Sequence, residues 1–106
     1  MADKSLADQI KEILALKEDE EGNPVHYSPH TAERALQCIP ILKEMVRKTK
    51  GVALGDPDIL PYASDNIELY WTAKGAYDIL VNVKPDCSAS YYADFNDGAP
   101  LKGELD

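Results

Sequence analysis

The stretch from Asn66 to Asp94, NIELYWTAKGAYDILVNVKPDCSASYYAD, alternates apolar and polar residues three times, with a turn signal at each break. Period-two alternation buries one face of a sheet, and breaks this short admit only hairpins, so the stretch predicts a three-stranded antiparallel meander. Ile67, Leu69 and Trp71 share a face of the first strand, and Tyr77, Ile79, Val81 and Val83 share a face of the second.

Turn chemistry then sets the registers. An Ala73-Lys74-Gly75 loop, with Gly75 left-handed, pairs Trp71 with Tyr77, Leu69 with Ile79 and Ile67 with Val81. Pro85-Asp86-Cys87 fits the same loop length and pairs Val83 with Ala89 and Val81 with Tyr91. Cys87 is then the awkward residue, at a position where Gly or Asn is cheaper.

The same registers place Glu68, Leu80 and Tyr92 in one cross-strand row of the opposite face, and Tyr70, Asp78 and Asp94 in the next. Two tyrosines and a leucine among three carboxylates fit an ordinary solvated sheet face. The alternative is a binding face of amphipathic aromatics inside an acidic rim, since tyrosine is enriched at interfaces and acidic rims steer basic partners.

At 106 residues and 11.7 kDa the chain is expected to fold as a single domain over 1–106, around a core that needs neither disulfide nor metal. Its net charge of -8 opposes binding to phosphate backbones and anionic membranes, and leaves a basic protein surface open as a partner. No apolar run approaches the ~18 residues of a membrane span, and MADKSLADQ lacks the apolar region of a signal peptide. A cytoplasmic location is therefore expected, with Cys38 and Cys87 as free thiols.

Ser5 and Asp8 resemble a capping box, and Leu6, Ile10, Ile13 and Leu14 follow at helical spacing. Helix one is expected from about Leu6 to Lys17. Glu18-Asp19-Glu20-Glu21 then sets negative charge at the negative end of the dipole, and Gly22-Asn23-Pro24 ends the element. That contiguous acidic run reads as a solvated loop, because a cation loop spaces its ligands around a glycine. Ser28-Pro29 opens helix two, Ala32 to Val46 supply its buried stripe, and Gly51 terminates it. Pro40 within it predicts a kink. The basic residues Lys43, Arg47, Lys48 and Lys50 are explained by the helix dipole.

This division gives a helical half of about 5–51, a Pro-rich extended connector of about 52–65 and a sheet of about 66–105. Asn96-Asp97-Gly98 is a turn signal, and the alternation of Leu101 to Leu105 suits a short fourth strand, with Pro100 tolerable only at an edge.

The candidates for chemistry are few. His26 and His30 are four residues apart, but His26 precedes the helix cap, so metal-binding geometry is not built in. Neither cysteine has a helix N-terminus or an orienting third group, and paired carboxylates mean little without a cleft. No phosphate-binding glycine loop and no basic-aromatic surface is present in the sequence. No catalytic residue, metal ligand or cofactor is assigned, and an enzyme is not expected.

From Leu16 onward the layout resembles a family of small bacterial and phage-borne proteins. The matching residues are Gly22, Pro24, Ser28 to Ala35, the Ile-x-Leu-x-Trp of Ile67, Leu69 and Trp71, the Tyr91-Tyr92 pair and Lys102-Gly103. Glu20 and Glu21 stand where the family pattern has Trp-Asp. The motifs are structural, and the resemblance carries over no assigned activity.

The expected architecture is α+β, with two helices (the second kinked at Pro40) on one face of a three- to four-stranded antiparallel meander. The leading functional expectation is a small acidic protein-binding module of the inhibitor or antitoxin kind, using Glu68, Tyr70, Asp78, Leu80, Tyr92 and Asp94 against a basic protein partner. Nucleic acid and membranes are not expected partners. One alternative is a small-molecule or catalytic site at His26, Tyr27 and His30. Another is a structural homodimer joined through a sheet edge at Ala89 to Asp94.

Overall fold

A computed structural model of the chain describes residues 5–105, apart from the side chain of Ser64. Helix α1 spans Leu6–Leu14, with Ser5 as the N-cap whose side chain accepts from the Asp8 N–H. It stops short of the expected Lys17, and the acidic segment beyond it forms a tight loop. There the Asp19 carboxylate accepts the N–H groups of Glu21 and Asn23 at 2.9 and 2.8 Å, and the Asp19 N–H donates to Asn23 O.

Helix α2 spans Pro29–Lys50, opened by the Ser28 hydroxyl on the His30 N–H and closed by Gly51 at φ 70. It runs through Pro40 as one element, where the sequence predicts a kink. Pro40 and Leu36, whose carbonyl loses its donor, are both exposed, so water can replace the missing bond.

The sheet has five strands in sequence order: β1 Asp58–Tyr62, β2 Asn66–Ala73, β3 Tyr77–Val83, β4 Ala89–Asp94 and β5 Leu101–Leu105. All four pairings are antiparallel. The architecture is α+β, with one more strand than the alternation predicts. The extra one is β1, which comes from the connector and turns back into β2 through a single 3₁₀ turn at Ala63–Asp65. The expected fourth strand at Leu101–Leu105 forms as β5.

The register of the second hairpin is the expected one, Val83 opposite Ala89 and Val81 opposite Tyr91, with Cys87 at φ 69. The first hairpin differs. Trp71 faces Ile79, Leu69 faces Val81 and Ile67 faces Val83, so the loop is Lys74-Gly75-Ala76 and Ala73 joins the ladder against Tyr77. The Ala76 N–H closes the turn on Ala73 O at 2.9 Å, with Gly75 at φ 80 where a side chain is disfavoured.

Both helices lie on the face that carries Ile59, Ile67, Leu69, Trp71, Ile79, Val81 and Val83, α1 against β1 and α2 against β2 and β3. Two polar bonds pin the layers. The Trp71 indole N–H donates to Gly55 O at 2.8 Å, and the Ile59 N–H donates to the Gln9 side chain at 2.7 Å. Leu69 is fully buried in this core, whereas Ile41 is 39% exposed on α2. Leu69→Ala is expected to cost roughly 2–5 kcal/mol, and Ile41→Ala about 0.5 kcal/mol or less, in urea denaturation. Equal losses would contradict this assignment of faces.

Candidate functional site

Because alternate residues of each strand face opposite ways, the side of the sheet away from the helices is composed of Asp58, Leu60, Tyr62, Glu68, Tyr70, Thr72, Asp78, Leu80, Asn82, Ser90, Tyr92, Asp94, Lys102 and Glu104, together with Asn66. The helices pack on the opposite side of the sheet. All six residues singled out from the sequence (Glu68, Tyr70, Asp78, Leu80, Tyr92 and Asp94) lie here, but in different rows from those expected. The two-residue change of register in the first hairpin puts Tyr70, Leu80 and Tyr92 in one row, continued by Asp58 on β1 and Lys102 on β5. Thr72, Asp78 and Asp94 form the next row, and Leu60, Glu68, Asn82, Ser90 and Glu104 the row on the other side.

The correction concentrates the apolar surface. Tyrosine, leucine and tyrosine are now direct cross-strand neighbours, within the ~5 Å at which such pairs interact. Carboxylates surround them: Asp58, Glu68, Asp78, Asp94 and Glu104, against the single cation Lys102. Tyr92 is 45% exposed, as is Leu60, and Tyr62 is 52% exposed.

Local bonds hold two of the carboxylates in place. Asp78 Oδ1 accepts from Thr72 Oγ1 at 2.8 Å, with the Tyr70 hydroxyl 3.5 Å away, and Asp94 Oδ1 accepts the Asn96 N–H at 2.9 Å. Asp94 therefore also shapes the turn before β5. Burial pushes the Glu68 carboxyl above its usual range. In the same row the Asn82 amide oxygen is covered and has no hydrogen-bond partner.

Sequence reasoning missed Asp58, Leu60 and Tyr62. Their alternation with the buried Ile59 was present in DILPY, but Pro61 hid it, since proline is admitted to a strand only at an edge such as this one.

The loop before α2 is differently built. Tyr27 is buried, its hydroxyl donates to Tyr62 O at 3.1 Å, and burial, then the Asp65 and Asp19 charges, push its phenol up. The His26 N–H donates to Asp65 Oδ1 at 3.1 Å. His26 and His30 are exposed and line neither of the two clefts beside β1. One cleft, of about 370 Å³, lies between α1 and β1. The other, of about 790 Å³, lies between the acidic loop, Tyr27 and Tyr62.

The expectation of a dimer edge at Ala89 to Asp94 is overturned, because both edges of β4 are paired, to β3 and to β5. Cys38 and Cys87 are free thiols, and burial pushes the Cys38 thiol up. Among the described residues no group of three or more His, Cys, Asp or Glu could hold a metal ion, and no helix is long and apolar enough to cross a membrane.

Comparisons with protein-family models, with curated proteins and with solved structures gave no match. The geometry of the face therefore carries the functional reading.

Glu68 holds its proton more tightly folded than unfolded. Stability is consequently lost as pH rises from the usual glutamate range, near ~4.3, through the raised folded value. Glu68→Gln is expected to melt above the wild type at pH 7, with the gap closing at acidic pH. A lower melting temperature for the variant at pH 7 would contradict this.

Proposed function

We propose that this protein is a small acidic binding module that acts by protein–protein contact, presenting the outer face of its sheet to a partner with a basic surface. The observation that carries the reading is the Tyr70–Leu80–Tyr92 row, uncovered by either helix and ringed by five carboxylates against one lysine. An amphipathic aromatic centre with a charged rim is the anatomy of a protein interface, and the excess of negative charge selects a cationic counterpart.

A feature of the row beside it supports the reading. Partial burial works against the charged form of Glu68, a cost to folding that a neutral side chain there would avoid. Binding is a reason to keep such a group. A module that covers the basic surface of another protein can serve as an inhibitor or antitoxin, and that is the role proposed.

A pull-down from the native host tests the proposal, with wild-type bait beside bait carrying Tyr70→Ala and Tyr92→Ala. A basic protein held by the wild type should bind the double variant at least tenfold more weakly, since truncated interface aromatics commonly cost about 1–2 kcal/mol each. Reversing Asp78 and Asp94 together should slow association. The Asp94 bond to Asn96 means that a thermal melt must accompany this variant. Undiminished binding by both folded variants would overturn the proposal.

A second reading, a small-molecule site before α2, draws support from the cleft of about 790 Å³ beside Tyr27, which Glu18, Asp19, Glu20 and Glu21 help to line. Its ligand would be cationic, and it would not use His26 or His30. A thermal-shift screen of polyamines and related cations tests it, and the absence of any stabilising compound would remove it.

A further inference from the structure

A sheet of five strands in sequence order has two edges, β1 and β5, and the sequence treats them differently. On β1 the Ile59 N–H points away from β2 and is taken by Gln9. Antiparallel strands direct alternate residues to opposite neighbours, so the next outward position is 61, where proline has no N–H to offer. β1 therefore presents no backbone donor to an incoming strand.

β5 is open. The Lys84 N–H donates to Ser88 O at 2.9 Å, which fixes the alternation along the second hairpin. Ser90, Tyr92 and Asp94 exchange bonds with β3, and Ala89, Tyr91 and Ala93 face β5. The residues of β5 that return those bonds are Leu101, Gly103 and Leu105. The N–H and C=O groups of Lys102 and Glu104 thus point outward, and Lys102, Gly103 and Glu104 are exposed. The strand end is held, since the Arg34 guanidinium donates to Leu105 O at 2.9 Å and to Cys87 O at 3.0 Å.

We propose that β5 is a self-complementary edge through which two copies of this chain pair antiparallel about a two-fold axis at Gly103, joining two five-stranded sheets into one. The segment Leu101-Lys102-Gly103-Glu104-Leu105, laid against its own reverse, sets Lys102 opposite Glu104 on the outer face, twice. Leu101 meets Leu105 on the inner face. The facing residues 102 and 104 are also the ones with free backbone groups, so hydrogen bonding and charge select the same register.

A slip by two residues brings Lys102 against Lys102, or Glu104 against Glu104, and like charges in direct opposition are destabilising. Glycine suits the axis. A Cβ at residue 103 would lie 3.3 Å from the Tyr91 ring, and two copies meet there without side chains between them. The main helix contacts with the sheet lie on β1, β2 and β3, and α2 reaches β5 through the Arg34 side chain at the Leu105 carbonyl. A five-residue edge buries well below the ~1,200 Å² of a standard stable interface, so the association is weak and is read at high protein concentration. It leaves both outer faces open, and does not rest on the partner-binding reading.

Sedimentation equilibrium with charge exchange tests the proposal. The wild type should rise from 11.7 kDa towards twice that mass as concentration increases. Lys102→Glu alone and Glu104→Lys alone should each associate roughly tenfold or more weakly, because each sets like charges across the axis. An equimolar mixture of the two variants should dimerise again, since every facing pair is then of opposite charge. Both positions are exposed, and unchanged circular dichroism serves as the folding control. A wild type that stays at 11.7 kDa, single variants that dimerise like the wild type, or a mixture that fails to do so would each overturn the proposal.

Discussion

Cross-strand rows of apolar side chains on one face of the meander hold this protein together. Ile67, Val83 and Ala89 form one row, Leu69, Val81 and Tyr91 the next, and Trp71, Ile79 and Ala93 the third. All but Tyr91 are buried; α2 is held because Ala35, Ile39, Leu42 and Val46 close over these rows, and α1 because Ile10 and Ile13 pack beside them towards β1. Helices of this composition bury one stripe each, so they need one face of the sheet and no more. The other face is left to solvent or to a partner, and its chemistry is free of the demands of the core.

That freedom gives the outer face its meaning. A purely solvated face is well served by lysine, glutamate and threonine, yet this one sets Tyr70, Leu80 and Tyr92 side by side, with Leu60 and Tyr62 further towards β1. The two edges follow a related logic. The side chain of Gln9 and the ring of Pro61 close β1, whereas β5 offers unpaired backbone beside a lysine and a glutamate whose spacing matches their own reverse. With one edge closed and the opposite edge open, the sheet can grow in a single direction.

Much of this was legible in the sequence, and the failures have particular causes. Side-chain alternation identified β2, β3 and β4 and the face each residue occupies; Ser28-Pro29 and Gly51 marked the ends of α2. The register of the first hairpin was not legible, because a slip by two residues keeps every side chain on its own face. Trp71 is buried opposite Ile79, and Tyr77 lies on the same face two residues away. What decided it was the turn, with Gly75 at the third position and Ala73 in the ladder. β1 was hidden because its proline argues against a strand unless the edge is already known. Pro40 does not split α2 into two segments, since it faces water, which can take the place of the one missing ladder bond. The six candidate residues survived the register error, since parity assigns the face, but their grouping into rows did not.

The most direct test of the central claim, that the outer face meets a protein partner, is site-specific photocrosslinking in the native host. A benzophenone side chain replaces Tyr92 in one chain and Leu36, exposed on α2, in another. The account predicts a crosslink to a basic protein from position 92 and none to that protein from position 36. A crosslink to the same protein from position 36 alone would contradict it.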